Sequence, residues 1–268
     1  MTAELLRMPA RRTRSNHAEV ARAIGTGIIT GAYPPGSRLP GDAELTQRFS
    51  ISRPVLREGI KTLAAKGLLA SKARVGTTVA DPAGWNMFDP DVLAWHLEAG
   101  IGGRFLRELA EIRMAVEPQA AAMAATRHSE ADLLGIEESL GRMARAVPAT
   151  PGFAEADLAL HLAVAAASGN RFMRSVGAVI EAALRASFML SAPVAPDDRD
   201  RVLAMHTRIV TAVARRDPAA AARAMEGVIV NGLERHGALG PDAMGPDALG
   251  PDALEPDALG PHAPGQSR

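Results

Sequence analysis

The sequence predicts a mainly α chain in two parts, an N-terminal winged helix-turn-helix and a C-terminal all-α antiparallel helical bundle. Three observations predict it. Apolar residues recur at helical spacing over most of the 268 residues. Near residue 70 the pattern changes to two short strands, Leu68 to Ser71 and Thr77 to Ala80, joined by Lys72-Ala73-Arg74-Val75-Gly76. Charge is segregated under a net charge of zero: Met1 to Ala80 carries 13 Lys+Arg and 5 Asp+Glu, a balance of +8, and the remainder balances at −8. A basic head on an acidic body points to a polyanionic partner for the head alone. A merely solvated basic surface is the plainer alternative.

The elements follow in order. Residues 1–15 read as a disordered arm bearing Arg11, Arg12 and Arg14, which either adds phosphate contacts or does nothing. Asn16 and Glu19 have capping-box spacing for a first helix striped by Val20, Ile24 and Ile28 and ended by Gly31. A second helix follows Pro40-Gly41-Asp42, with Leu45 and Phe49 inward. Ser52 is placed to cap a third helix, and Pro54 is tolerated in its first turn. Gly67 stops that helix, and the hairpin completes a winged helix-turn-helix over 16–80.

Residues 81–103 read as a connector. Its Trp85, Phe88, Val92, Leu93 and Trp95 are more apolar than a flexible linker needs, so it is expected to dock on one neighbour. From 104 to 236 six helices are expected: one striped by Phe105, Leu109, Ile112 and Val116, then others near 129–146, 152–168, 171–190, 198–216 and 219–236. Short breaks between them make an antiparallel bundle. Residues 237–268 repeat Gly-Pro-Asp-Ala-Met/Leu. Proline every fifth residue forbids regular structure, so a disordered tail is expected there.

Composition sets limits. Cysteine is absent, so disulfides and thiolate metal sites are excluded. No apolar run of membrane-spanning length appears, and the basic N-terminus has no apolar core of a secretory signal. A cytoplasmic protein is expected.

The third helix carries the chemistry of the head. Arg53, Arg57 and Lys61 fall at i, i+4 and i+8 and line one face; Leu56, Ile60 and Leu63 line the other. Such a helix suits the major groove of double-stranded DNA. Arg53 and Arg57 can fork onto guanine edges or grip phosphate. Pro54 and Val55, at the helix start, can meet a thymine methyl. Arg38, after the Pro34-Pro35-Gly36 turn, suits a phosphate. Arg74 and Gly76 at the wing can approach the minor groove. The bland alternative is that Arg53 and Arg57 pair with Glu44 or Glu58.

Together Pro35-Gly-Ser-Arg-Leu-Pro40, Glu44-Leu45, Ser52-Arg53-Pro-Val-Leu-Arg57-Glu58, Leu63 and Lys66-Gly67-Leu68-Leu69 resemble the winged helix of the GntR family over about 65 residues. One departure is Ala43, where many relatives carry an arginine two places before the Leu45 position.

In the bundle, Asp157 and His161 at i, i+4 share a helix face and can grip one ion, or form an ordinary surface hydrogen bond. His206, in register with Val202, Ile209 and Val213, should point inward as a ligand or as a core histidine. Glu111-Ile112-Arg113-Met-Ala-Val-Glu117-Pro118, Phe153-Ala-Glu-Ala-Asp157-Leu-Ala-Leu-His161, Gly169-Asn170, His206 and Asp217-Pro218 resemble the FCD effector domain of FadR-type GntR regulators. The resemblance implies a divalent metal, often zinc, on Asp157, His161 and His206. It also implies a small carboxylate effector held by Arg113, with Asp157, Asn170 or the metal taking its hydroxyls. Many such domains have a third histidine where this chain has Val228, and His236 lies too far along to replace it. Without metal, the same groups would hydrogen-bond the effector directly.

The connector Trp85-Asn86-Met-Phe-Asp89-Pro-Asp91-Val-Leu-Ala-Trp95 is similar to the link of FadR-type repressors of sugar-acid catabolism, including galactonate-responsive ones. The resemblances imply a homodimeric transcription factor, a repressor released by a sugar acid or other carboxylate. Two other classes remain open at this point. One is a metal-dependent enzyme acting on a small acid and fused to a DNA-binding head; the other is an architectural DNA-binding protein that needs no effector.

Overall fold

The computed structural model describes residues 16–72, 76–100, 102–147, 150–191 and 196–235. The arm, Arg74, His236 and the repeat tail lie outside the described residues.

Three helices and a hairpin form the head: α1 (Asn16–Ile29), α2 (Asp42–Phe49), α3 (Arg53–Ala65), β1 (Leu69–Lys72) and β2 (Gly76–Val79). Its core joins Val20, Ile24 and Ile28 of α1 to Leu45, Leu56, Leu63 and Leu68. Burying each such side chain stabilises by about 1.5–3 kcal/mol. On α3 the inward face differs from the expected one. Leu56 and Leu63 are buried, but Gly59 takes the place expected for Ile60, which is half-buried. A Cβ on Gly59 would sit 3.2 Å from Val20 Cγ1, so only glycine lets α1 and α3 approach this closely.

The hairpin pairs antiparallel from Leu69↔Val79 to Lys72↔Gly76; both strands lie one residue nearer the loop than expected, and the pairing, Ser71 with Thr77, is the one the expected strands imply. Gly67 has φ +81, and a Cβ there would lie 2.2 Å from the Gly84 carbonyl oxygen. Glycine is therefore required where the chain leaves α3.

The connector is mostly helix. A 3-10 turn (Pro82–Gly84) precedes α4 (Pro90–Ala99), whose N-cap Asp89 accepts from the Asp91 and Val92 backbone amides. It docks on both neighbours, not one. Trp95 enters the head core, where Gly25 of α1 leaves room for its ring. Leu93 packs with Leu109, Val179 and Ala183 of the bundle. Lys66, just past α3, ion-pairs with Asp89 and Asp91 at 2.6 and 2.8 Å. Phe88 stays 52 % exposed.

The bundle contains α5 (Gly103–Arg127), α6 (Glu130–Arg145), α7 (Pro151–Ala167), α8 (Arg171–Ser175), α9 (Gly177–Ser191), α10 (Pro196–Ala214) and α11 (Pro218–Arg235). The helix expected over 171–190 is thus two, because the chain breaks at Val176 before Gly177. The face of α5 also differs from the sequence reading. Ile112 is 39 % exposed, while Leu106, Leu109, Arg113, Glu117, Ala120 and Ala124 are buried. A polar pair, Arg113 with Glu117, occupies the inward stripe, so a search for apolar periodicity lands on the wrong face. The rest of the core comes from Leu160, Val164, Ile209, Val213, Met225 and Ile229.

Among the described residues no helix is long and apolar enough to cross a membrane.

Candidate functional site

On the head, Ser52 is the N-cap of α3 with extended backbone, φ −78 and ψ 155, yet its hydroxyl makes no cap bond. The cap is set by backbone conformation and by Pro54 in the first turn. Arg53, Pro54, Arg57 and Lys61 are all exposed. Val55 is half-buried and packs partly into the head core, so only part of its surface faces outward. Among the described residues, no ion pair or hydrogen bond engages the side chain of Arg53 or Arg57. Glu58 instead pairs with Lys61 at 2.7 Å, both groups being more than half exposed. Such an exposed pair is weak and can be exchanged for a phosphate contact.

Arg38 is exposed and bridges antiparallel to Thr78 at the edge of the hairpin. Gly76, with φ +99, lies beneath it: a Cβ there would come within 3.0 Å of Arg38 Nε. Arg38 and Gly76 are therefore brought together at the loop end of the hairpin.

Inside the bundle, three side chains from two helices converge. Asp157 and His161 come from α7, and His206 comes from α10. His206 Nε2 is 2.8 Å from Asp157 Oδ1, His161 Nε2 is 3.6 Å from the same oxygen, and the two Nε2 atoms are 3.4 Å apart. The far side of each ring fixes its tautomer. His206 Nδ1 lies 2.8 Å from the Val202 carbonyl oxygen, which can only accept, so Nδ1 carries a proton. His161 Nδ1 donates to Glu117 Oε2. In the neutral rings both Nε2 atoms then present lone pairs towards an oxygen, Asp157 Oδ1, that is buried and has no hydrogen-bond donor. Three acceptors facing one point repel unless a proton or cation lies between them.

This triangle fits a divalent metal. Tetrahedral zinc with bonds of about 2.0–2.1 Å sets its ligands about 3.3 Å apart, and the three separations bracket that value. Glu117 behind His161 and the Val202 carbonyl behind His206 supply the outer hydrogen bonds that orient ligand imidazoles.

Without a metal, a proton on His206 Nε2 takes the place of the cation. Burial disfavours a charged Asp157, but His206 foremost, then His161 and Arg113, hold its carboxyl down to about 2. Burial would lower His206, yet Asp157 and the Val202 carbonyl outweigh it and raise its pKa above the usual 6.5. Glu117 is 2 % exposed. Burial pushes its pKa up, and Arg113 and His161 more than offset this, to about 2.

Arg113, on α5, is 7 % exposed. Its Nε donates to Glu117 Oε1 at 2.5 Å, while its Nη2 is buried without a partner. Beside Glu117 and His161, the side chains of Val164, Met173, Ile180 and Met225 close over a gap too small for a water molecule. A buried guanidinium whose Nη2 amino group is free, close to a cation-seeking triangle, has the chemistry to bind a small carboxylate that also carries hydroxyls.

Asn170 is not part of this cluster. It is the N-cap of α8, where its side chain accepts from the Phe172 amide at 3.0 Å. Val228 is half-buried against the core and offers no ligand atom. Two polar groups near the site were missed from the sequence. Glu117 stands four residues after Arg113, where a helical ion pair belongs, and that spacing is the signal that marks it. Arg235 lies at the end of α11, with its Nε and Nη1 buried and unpartnered. No spacing rule marks it, because its proximity depends on how α11 packs against α5.

Residues 16–79 match the model of bacterial regulatory proteins of the gntR family, and residues 108–231 match that of the FCD domain. The galactonate operon transcriptional repressor of Escherichia coli (strain K12) is 34 % identical over 212 residues, which is 79 % of this chain and 93 % of that protein. The HTH-type transcriptional regulator LutR of Bacillus subtilis (strain 168) is 29 % identical over 211 residues, 76 % of this chain and 93 % of its own length. Among solved structures, Lar, which controls the expression of the Listeria monocytogenes agr system, aligns with a TM-score of 0.60 at 16 % identity. That alignment covers 84 % of this chain and 98 % of Lar, a likeness that shows the fold alone. The winged head, the exposed cations of α3 and these relatives agree: the chain belongs to the GntR family, carries an FCD domain, and is a DNA-binding transcriptional regulator, not an enzyme.

Proposed function

We propose that this regulator represses a catabolic operon for a sugar acid or another small carboxylate, and that binding of that acid in the FCD bundle releases it from DNA. Arg113 reads the carboxylate. Asp157, His161 and His206 hold a divalent metal, zinc fitting the nitrogen-rich donor set, and the metal supplies a Lewis-acidic partner for an effector hydroxyl or carboxylate oxygen. The head, residues 16–80, contacts duplex DNA through Ser52, Arg53, Pro54, Val55, Arg57 and Lys61, with Arg38, Arg74 and Gly76 at the wing. The bundle, residues 104–236, is the sensor. A homodimer acting in the cytoplasm on a pseudo-palindromic operator completes the reading.

The observation that carries it is the pairing of an unpartnered Arg113 Nη2 with three convergent acceptors around one buried site. The name of the Escherichia coli relative supports the acid class. Release needs a connection to the head, and α5 offers one. Leu109, one turn before Arg113, packs with Leu93 of α4, and α4 in turn holds Lys66 and Trp95 of the head interface. An effector that binds one arrangement of α5 better than another shifts the population of head positions by that difference in affinity.

The test is fluorescence anisotropy on DNA from upstream of the chain's own gene, titrated with sugar acids and simple carboxylates. Tight, competitor-resistant binding reversed by one acid, and lost response in Arg113→Ala, are expected. Binding indifferent to DNA sequence and to every acid would favour an architectural role instead.

A further inference from the structure

Three helices leave a groove between them where α4 meets the bundle. Each turns one helical stripe into it: Leu93 and Leu97 from α4, Ala154 and Leu158 from α7, Ala178 and Ala182 from α9. Its volume is about 640 Å³, within the range of about 300–1,000 Å³ usual for ligand pockets. Arg113, Asp157, His161 and His206 do not line it.

Its rim is acidic. Glu98, Glu155 and Glu181 line it against one arginine, Arg185. Glu98 pairs with Arg22 of α1 at 3.0 Å and Glu181 with Arg185 at 2.8 Å, through side chains that are all largely exposed. Such pairs are weak and exchange readily. Glu155 is exposed, and no ion pair engages it among the described residues. An apolar floor under excess negative charge suits an apolar segment that carries cations. Residues 1–15 have that composition in a usable order: Leu5, Leu6 and Met8 come first, then Arg11, Arg12 and Arg14, with Arg7 between them and Glu4 the one acid.

The start of α1 brings this segment to the groove. Arg22 meets Glu98, while Gly25, about one turn later on α1, abuts Trp95, about one turn earlier on α4. The two helices therefore run antiparallel, and Asn16 lies beyond the Glu98 end of α4, about 9 Å along α1 from Arg22. Leu6 stands ten residues before Asn16, a reach of up to about 35 Å. From Leu93 to Glu98 along α4 is only about 8 Å. The arginines nearest α1 meet the Glu98 rim first, and the leucines reach the floor beyond it.

We propose that residues 5–14 of the same chain dock in this groove, with Leu5, Leu6 and Met8 on the floor between α4, α7 and α9 and Arg11, Arg12 and Arg14 against the acidic rim. The segment then straps the head to the bundle across α4. Attachment favours it over a second copy, because a segment tethered so near its site has an effective concentration on the order of millimolar.

Disulfide trapping tests this on the full chain, which has no cysteine of its own. Leu6→Cys is combined with Ala154→Cys in the groove, or with Glu138→Cys, an exposed position on α6 outside it. Under diamide, the groove pair should close within one chain at least tenfold faster than the α6 pair. Leu5→Ser or Glu155→Lys, added to the groove pair, should each slow closure at least threefold. Equal rates at the two positions overturn the docking, as does protection of residues 7–14 from trypsin by duplex DNA alone. Fast closure that yields only covalent dimers overturns the placement within one chain and makes the groove a contact between copies. Closure indifferent to both Leu5→Ser and Glu155→Lys overturns the assigned apolar and charged contacts. Should a cysteine variant not fold, hydrogen exchange of the wild type against a chain lacking residues 1–13 decides: exchange over 93–97 and 154–158 should quicken in the shorter chain, and identical exchange overturns the proposal.

Discussion

Replacing Glu117 by glutamine tests whether one buried carboxylate holds the sensor together. The side chain is 2 % exposed and accepts from two donors on different helices, Arg113 Nε and His161 Nδ1. Glutamine has the same shape but only one accepting oxygen. Its NH2 must then face one of the two donors, and Arg113 loses its counterion in a buried setting. Breaking a buried pair by removing one partner costs about 3–5 kcal/mol, which exceeds the cost of a single neutral hydrogen bond by several-fold. With about 2–4 °C of melting temperature per kcal/mol at this chain size, Glu117→Gln should melt about 6–20 °C lower. The loss of the outer hydrogen bond on His161 should also weaken zinc binding about 10–100-fold. Differential scanning fluorimetry and zinc titration against a chromophoric chelator read the two effects. Unchanged melting and unchanged zinc affinity would refute the bridging role assigned to Glu117.

The remaining predictions concern the head, the metal and the link. Arg53→Ala should lose about 1–3 kcal/mol on the cognate operator and flatten the salt dependence of binding; an unchanged anisotropy titration would remove Arg53 from the interface. Asp157→Asn should abolish the rise in melting point that zinc gives the chelator-stripped protein by mass action; an equal rise in both proteins would place the metal elsewhere. His96, stacked on Phe105 at 5.2 Å, has its pKa lowered by burial from 6.5, against the Val92 carbonyl and Glu108. The unfolded chain therefore binds that proton more readily, so stability contributed by neutral His96 is present above pH 6.5 and falls as pH drops below it. Denaturant melts of His96→Gln should lack this step; a pH profile superimposable on wild type would dismiss it. Gly25→Ala puts a Cβ 2.4 Å from Trp95 Cε3. Overpacking costs about 1–3 kcal/mol, partly offset by about 1 kcal/mol of helix propensity. It should loosen α4 from α1 and blunt release by the effector more than it weakens DNA binding, a split readable by anisotropy with and without effector.

The head was legible because each of its signals is local. The Pro-Gly turn, the Ser52-Arg53-Pro54 start and Gly67 are short-range rules, and α3 begins and ends where they say. The wing strands pair as their expected spans imply, Ser71 with Thr77, and only their ends moved one residue towards the loop. Asp157, His161 and His206 were legible for a similar reason: i, i+4 spacing and the apolar register of Val202, Ile209 and Val213 each fix an inward direction. The face of α5 was misread because the buried stripe holds a salt-bridged pair, which hydropathy counts as surface. Asn170 shows that an asparagine after glycine has two uses, since its side-chain oxygen caps α8. The site's dependence on α11 could not be seen at all, since nothing local says which turn of a last helix meets α5.

The segment first taken as a connector decides how sensing reaches DNA. A flexible linker would let the heads move without regard to the bundle, and effector binding would then have nothing to act through. Here α4 is bolted at both ends of its function: Trp95 is 4 % exposed within the head core, and Leu93 is 2 % exposed within the bundle. Lys66 adds a polar tie with Asp89 and Asp91 directly behind α3, and its ammonium lies 5.8 Å from the Trp95 ring centroid. Because packed interfaces rearrange between discrete states rather than stretch, a small change in α5 beside Arg113 cannot be absorbed within α4. It must either leave the head in place or carry the head with it. Under the proposed function, that dichotomy lets a buried arginine of the bundle govern the row of cations on α3.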